Sequence, residues 1–560
     1  MTKITLSVAC IFLLLNGCKN QEQKCEPQAR NKALESIDSM AVKLKWPDDL
    51  SITGFAGPDL TPSPACLAVA ATGEVFVGVD MIGSLGKTPG KGMIVRLVDC
   101  NNDGILDSHT EFAQVDNPRG IISLGDKLFV LHTMFADDST ASEMDLVVFT
   151  DKDHDGIADG PSKTLISHMS NIPYLKSRGT DHATNGIRMG IDGWIYIAVG
   201  DYSFHEAVGS DGKKLTMLGG GIVRVRPDGT EMEMYTHGLR NIYDEAIDPY
   251  MNIFTRDNTN DGGGWNIRFS HQIQSGEYGY PILFQHFTEE ILPALADLGG
   301  GSGTGSLFMD EPTWPDKYNH IPMMADWGKN ELYIHRVKPD GATFTQQQED
   351  FIHLPQITDL DVDGSGRLYL SAWDGAGYSG DSSKGFIARA VPKNWEYKAF
   401  PKLKDASISE LQTLLKSNSA VARLNAQQEL LTRNNKKVSE AAWELVSDKN
   451  LPLYARIAAM YTYSQIEGAN GIKNLTTLTS EESMKEFALR ALTDRQSFLK
   501  DAPIEPFLKA VKDSSKRVQV AAIIGLGRLG RMETADALLQ VPVPNSFAPV
   551  PKGQEGPHAT

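Results

Sequence analysis

Two segments of the sequence carry oxygen-bearing side chains at every second position. One is Asp99-Cys100-Asn101-Asn102-Asp103-Gly104-Ile105-Leu106-Asp107, and the other is Asp151-Lys152-Asp153-His154-Asp155-Gly156-Ile157-Ala158-Asp159. Oxygens at that spacing can converge on one hard cation, and the glycine permits the sharp turn that brings them together. Asp99, Asn101, Asp103, Asp107, Asp151, Asp153, Asp155 and Asp159 are therefore candidate Ca2+ ligands. An Asp-rich turn between two strands would read the same way, and the closing glutamate of an EF-hand loop is not clearly supplied. A third run, Asp359-Leu360-Asp361-Val362-Asp363-Gly364, alternates acidic with apolar residues as a half-buried strand does, and is expected to be structural.

The densest group of chemically capable residues begins at Asp181-His182. It continues through Asn185-Gly186-Ile187-Arg188, Asp192-Gly193-Trp194, Gly200-Asp201, Gly219-Gly220-Gly221 and Gly238-Leu239-Arg240-Asn241. After these come Asp257 to Asp261, His271 and Gly276-Glu277-Tyr278-Gly279-Tyr280-Pro281. A histidine can take a hydroxyl proton as hydride leaves a carbon, because imidazole titrates near ambient pH. A strand-end histidine with a satisfied hydrogen bond is the plainer alternative for His182. Arg240 with Asn241 could bind carboxylates, or could simply tie two sheets together. Other site types are missing from the sequence. There is no Gly-x-Ser-x-Gly and no His-Glu-x-x-His. No Cys-x-x-Cys-His occurs, so covalent haem c is excluded in this chain. The three glycines at 219–221 lead into a strand pattern, not a nucleotide-binding helix.

These residues need a scaffold, and one unit recurs from about 46 to 395. An apolar strand, a tight Gly or Asp turn and a second apolar strand appear at 67–78, 120–133, 185–201, 245–257, 323–337 and 358–374. Each copy is rich in Val, Ile, Tyr and Phe, and six copies of one supersecondary unit predict a six-bladed β-propeller. A large β-sandwich or two β domains is the alternative. Near 400 the composition shifts towards Ala, Leu, Lys and Glu. Segments 421–431, 453–463, 486–494 and 517–530 show helical periodicity, and several place an Arg before an Ala-rich stripe. This is similar to HEAT-type helical repeats, expected over 405–543, with a tail over 544–560. The fold class read from sequence is thus mainly β, with an all-α repeat domain behind it.

The net charge of −17 argues against nucleic acid as a partner, since phosphate contacts need clustered Lys and Arg. At the N-terminus, Lys3 precedes an apolar stretch that ends in Leu15-Asn16-Gly17-Cys18. Residues 1–18 resemble a bacterial lipoprotein signal, with Cys18 as the lipidated residue and polar residues 19–45 as a tether. The expected location is the bacterial cell envelope, lipid-anchored, at the periplasmic or outer-membrane surface. Of the remaining cysteines, Cys66 and Cys100 could pair in an oxidising compartment, or could be buried small hydrophobes.

Taken in order, the motifs over roughly 50–390, and most strongly those at 181–281, resemble the glucose/sorbosone dehydrogenase family of PQQ-dependent propeller enzymes. They are closest to membrane-bound relatives that carry HEAT-like repeats. The resemblance implies that His182 is the catalytic base with Asp181 beside the cofactor. It also implies that Arg240 and Asn241 contact PQQ, and that Ca2+ assists. A sugar or related alcohol would be oxidised at the propeller mouth, and an electron-acceptor protein would dock on the helical repeats. The Asp257–Asp261 turn falls where that family places a Ca2+ site. Arg336 and Lys338 stand, by position only, near its later cationic contacts, and its first-blade glutamine has no counterpart. The competing account is a non-catalytic glycan- or protein-binding propeller with a helical scaffold.

Overall fold

The computed structural model describes residues 44–81, 89–136, 141–170, 173, 175, 179–259, 266–283 and 290–541. The signal segment with Cys18, nearly all of the tether and the 544–560 tail lie outside the described residues. Among those described, no helix is long and apolar enough to cross a membrane.

Six antiparallel sheets follow one another along the chain. From the inner strand outward, blade 1 is Pro64–Val69, Val75–Val79, Met93–Val98 and Ser108–Gln114. Blade 2 is Asp116–Leu124, Lys127–Phe135, Ala141–Thr150 and Lys163–Ser167, extended by Ala207–Gly209 and Lys214–Leu215. Blade 3 is Thr184–Met189, Ile195–Val199, Gly220–Val225 and Glu233–Leu239. Blade 4 is Asn241–Ile247, Ile253–Thr259, Asn266–Gln272 and Ala296–Gly300. Blade 5 is Gly303–Met309, Ile321–Asp326, Glu331–Asp340 and Thr343–His353. Blade 6 takes Ile357–Val362, Leu368–Ala372 and Phe386–Pro392 from the end of the β region, and its outer strand, Leu50–Ala56, from the beginning.

The inner strands touch their neighbours in a closed ring, blade 6 back onto blade 1. Leu50 pairs with Pro392 and Gly54 with Ala388, so the first strand locks the last blade. Such closure removes the open sheet edges that would invite aggregation. Lys45 already bridges to His353, and Leu44 and Trp46 pack on the core of blades 5 and 6. The last residues of the expected tether thus belong to the propeller's packing.

Five of the six strand–turn–strand segments join an inner strand to the second strand of its blade. The sixth, 323–337, joins the second and third strands of blade 5. In that blade the inner connection is long and holds a 3-10 turn, Asp316–Tyr318, so the tight turn falls one strand later. Asp310 and Glu311, at the start of this connection, meet the helical region.

The helices are α1 (Ile408–Leu415), α2 (Ala420–Arg433), α3 (Lys436–Ser447), α4 (Leu453–Glu467), α5 (Ile472–Leu478), α6 (Lys485–Leu492), α7 (Glu505–Ala510), α8 (Lys516–Leu529) and α9 (Met532–Leu539). Ser407, Ser419 and Ser515 accept backbone N–H bonds at the starts of α1, α2 and α8, satisfying donors that a helix start leaves open. The first eight helices pack as pairs. The four Ala-rich segments read from sequence fall in the second helix of each pair, α2, α4, α6 and α8. These helices press on the propeller, and their small residues allow close approach. Trp194, Tyr196, Tyr235, Met251 and Ile253 of blades 3 and 4 share one apolar core with Ala426, Ala458, Ala488 and Ala522.

Cys66 is a buried free thiol, and Cys100 is disulfide-bonded, so the two do not pair with each other.

Candidate functional site

Inner strands begin, and second strands end, on the same face of a propeller. On that face His182 lies two residues before the inner strand of blade 3. The turn after the second strand returns beside it: Tyr202 N–H donates to His182 O at 3.0 Å, and Gly200 N–H to Ala183 O at 2.7 Å. A Cβ on Gly200 would stand 2.4 Å from His182 O, so only glycine allows this approach. The turn delivers Asp201, whose Oδ1 lies 2.7 Å from His182 Nδ1. A carboxylate can only accept, so Nδ1 carries the proton and Nε2 is the ring's second nitrogen. Nε2 lies 3.9 Å from Asp181 Oδ2. His182 is buried, at 5% exposure, while the Asp181 side chain keeps 38%.

Blade 4 supplies the next wall. Asn241 Nδ2 donates to Asp181 O at 3.2 Å, and Asn185 Nδ2 donates to Asn241 Oδ1 at 3.3 Å and to Ile242 O at 2.9 Å. Asn241 thus holds the backbone of Asp181 in place. Tyr280 O–H donates to Asp201 Oδ2 at 3.2 Å. Burial and the Asp201 charge push the Tyr280 phenol up to about 12, while the neighbouring Arg240 guanidinium pulls the other way. Asp181, His182, Arg240 and Asn241 therefore lie together around the mouth.

Blades 1 and 2 complete the ring. Arg119 donates to Tyr243 Oη at 2.5 Å, Thr180 Oγ1 at 2.8 Å and Asn117 Oδ1 at 3.0 Å, and lies 3.6 Å from Asp80 Oδ2. Asn117 Nδ2 donates to Asp80 Oδ2 at 3.0 Å. Beside Asp181, Tyr378 lies 5.5 Å from Trp327, which meets Trp373 edge-on at 6.0 Å. Burial and the charge of Asp181 raise the Tyr378 phenol above its usual value.

Below this mouth the channel is closed by charge. Arg188 of blade 3 pairs with Asp244 at 2.6 Å, Asp359 at 3.4 Å and Asp361 at 3.5 Å. Asp359 and Asp361 also accept from Leu67 and Val69 N–H, each at 2.8 Å, and so stitch blade 6 to blade 1. The run at 359–363 is structural for this reason. The void left beside Arg188 and Arg119 is about 10 Å3, room for at most one water.

Several other residues fall elsewhere. Asp257 is fully buried and bound by Arg268 Nε at 3.1 Å and Ser270 Oγ at 3.0 Å, inside blade 4. Asn260 and Asp261 lie outside the described residues. Arg336 is spent on Glu349 of the outer strand of blade 5, and Lys338 sits further along the same strand as Arg336. His271 is packed against Phe254 and Phe344 and bonded to Thr343 Oγ1 at 3.0 Å. Its imidazolium is suppressed to about 3 by burial and by Arg517 and Arg490.

Both Asp-rich loops join the third and outer strands of their blades, at the opposite end from the mouth. In the first, Asp107 Oδ2 accepts from Cys100 and Asn101 N–H, and Asp99 Oδ2 accepts from Gly104 N–H at 2.8 Å and from Arg367 Nη1 at 3.4 Å. In the second, carboxylate oxygens of Asp151, Asp153 and Asp159 all lie within 4.8 Å of one another.

Asp201, Asp80 and Tyr280 carry no assigned role in the sequence reading. A signal for the first two exists in the repeat: an aspartate closes the second strand in VFVGVD, IYIAVGD, PMMAD and LYLSAWD, giving Asp80, Asp201, Asp326 and Asp374. Blade periodicity puts these carboxylates on the mouth face.

Residues 35–354 match the profile of a family described as a domain of unknown function (DUF7133). The chain belongs to this family. No curated protein sequence matches it. Solved structures similar to it include a glucose dehydrogenase-like oxidoreductase from Thermus thermophilus, 15% identical, covering 61% of this chain and 100% of that one at a TM-score of 0.47. The PQQ-bound aldose sugar dehydrogenase of Streptomyces coelicolor is 17% identical, covering 62% of this chain and 99% of its own at 0.45. The PQQ domain of the Coprinopsis cinerea pyranose dehydrogenase is 11% identical, covering 62% and 97% at 0.42.

Proposed function

We propose that this DUF7133 protein is an oxidoreductase that oxidises a sugar or related alcohol at the propeller mouth, with PQQ as cofactor. The observation that carries the reading is the His182–Asp201 pair, 2.7 Å apart, set among Asp181, Asn241, Tyr280 and Arg240. A histidine oriented through one nitrogen by a carboxylate is built to move a proton at the other.

Arg240 contributes a cation on this face, apt for an aromatic tricarboxylate, whereas Arg119 is buried and already engaged by Asn117, Tyr243 and Thr180. Arg240 and Asn241 would hold PQQ, which when bound supplies the quinone that accepts hydride. The protein's own part is positional and acid–base. Nε2 of His182 takes the hydroxyl proton of the substrate. Asp201 holds the ring through Nδ1 and stabilises the resulting imidazolium. Asn241 fixes Asp181 by its carbonyl. The exposed ring of Tyr378, beside Asp181 and against Trp327, suits the apolar side of a pyranose ring. An acceptor protein docking on the helical array would meet α1, α3, α5 and α7, because the partner helices of each pair face the propeller.

The test is a PQQ titration of the purified protein with Ca2+ present, followed by dye reduction with a panel of aldoses. Saturable binding with turnover is expected, and His182→Ala should lower kcat by about 10²–10⁴. Absence of both binding and turnover would overturn PQQ-dependent oxidation and leave the glycan- or protein-binding propeller as the account. Export and lipidation at Cys18 belong to the same proposal, and a Cys18→Ala variant should lose lipid labelling.

A further inference from the structure

The two Asp-rich loops have nearly the same sequence pattern and different surroundings. In the blade 1 loop a cation from the protein is already present. Arg367 Nη1 lies 3.4 Å from Asp99 Oδ2 and donates to Asn102 Oδ1 at 3.0 Å. In both loops further carboxylates accept from the loop's own N–H groups, Cys100, Asn101 and Ile105 in the first and Lys152, Gly156 and Ile157 in the second, so the difference lies in the cation.

In the blade 2 loop no ion pair engages Asp151, Asp153 or Asp159 among the described residues. Their carboxylate oxygens lie within 4.8 Å of one another, so a point between them is at most about 2.8 Å from each, close to the Ca2+–O range of about 2.3–2.6 Å. Asp151 is the independent sign of a ligand. It is buried, at 8% exposure; its Oδ2 accepts from Gly156 N–H at 3.1 Å, but its Oδ1 is buried with no hydrogen-bond partner. A buried carboxylate oxygen without a partner is costly unless something cationic satisfies it. Asp153 and Asp159 are exposed, leaving a path for a hydrated ion.

We infer that the blade 2 loop is a Ca2+ site built from Asp151, Asp153 and Asp159, and that the blade 1 loop is its metal-free counterpart, with Arg367 in the cation's place. The loop packs on blade 1, where Thr110 Oγ1–H donates to Gly156 O at 2.6 Å. It also reaches the segment that leads to α1, where Lys404 Nζ lies 3.2 Å from His154 Nε2. Bound Ca2+ would therefore brace the junction of two blades near the start of the helical array. A hard ion of this size with carboxylate ligands is favoured over Mg2+, which demands stricter octahedral geometry.

The experiment is calorimetric titration of the chelator-stripped full-length protein with CaCl2, repeated on Asp153→Asn and Asp103→Asn. Asp153 is exposed, so its amide variant should fold. The expected result is saturable binding in the parent, weakened at least tenfold or reduced by one equivalent in Asp153→Asn and unchanged in Asp103→Asn. A thermal midpoint that rises with Ca2+ in the parent but not in Asp153→Asn would agree. No saturable binding, or binding that Asp153→Asn leaves intact, would overturn the assignment.

Discussion

The two faces of the propeller use the same residue types to opposite ends. On the mouth face, Asp201 accepts from His182 and Tyr280, and Asn241 holds the backbone of Asp181, whose side chain stays in contact with solvent. On the far face, Arg224 donates to Glu233 Oε1 at 2.6 Å and to Asp494 Oδ1 at 2.9 Å, and Trp194 Nε1–H donates to Asp494 Oδ2 at 2.9 Å. Arg490 donates to Tyr250 O at 3.0 Å and Met251 O at 2.8 Å, and Arg517 to Asn252 Oδ1 at 2.6 Å. There these strong donors have found protein acceptors, and the helices exclude water. A polar network closed on itself holds two domains together; one that ends at solvent is available to a ligand.

Breaking the closed network should have the largest effect. Arg224→Ala leaves Glu233 and Asp494 buried without their shared partner, and should cost about 3–5 kcal/mol in denaturant unfolding. A loss below about 1 kcal/mol would mean the far face is no more committed than the mouth. Next, Asp201→Asn should lower kcat roughly a hundredfold, with KM and unfolding free energy little changed, because the amide can no longer favour the proton on Nδ1 or stabilise the imidazolium. Equal losses in stability and activity would make Asp201 a packing residue. Gly200→Ala is expected to cost about 1–3 kcal/mol and to shift the His182 ring, read by its NMR resonances, since the added carbon meets a backbone carbonyl.

The smallest effect concerns pH. Glu311 lies under α2, where its Oε1 accepts from Val421 N–H at 3.0 Å, and burial pushes its carboxyl up to about 8. Because the folded value is raised, the folded chain holds this proton while the unfolded chain releases it. Its stabilising contribution is complete below about 4.5 and is lost progressively as pH rises to about 8. Glu311→Gln keeps the acceptor and cannot ionise, so its stability should fall less steeply between those limits in parallel pH-dependent melts. Identical pH slopes in parent and variant would remove Glu311 from the account.

Much of this was open to reading in one dimension because it rests on local rules. Period-two alternation around tight turns marks the blades, and an Ala-rich stripe at helical spacing marks the helices that press on them. The motif residues Asp181, His182, Arg240 and Asn241 stand at strand ends, and blade repetition places every such end on one rim. The two metal-type loops show the limit of that logic. Their spacings are the same, but the third position is Asn101 in one and Asp153 in the other, and Arg367, 268 positions from Asp99, reaches the first loop. Asp201 is missed for a similar reason, since its role depends on which ring nitrogen faces it. Local patterning determined which elements form and which side chains share a face. The tertiary structure alone decided which charges would be neutralised by other parts of the chain, because closing a ring of blades joins residues hundreds of positions apart.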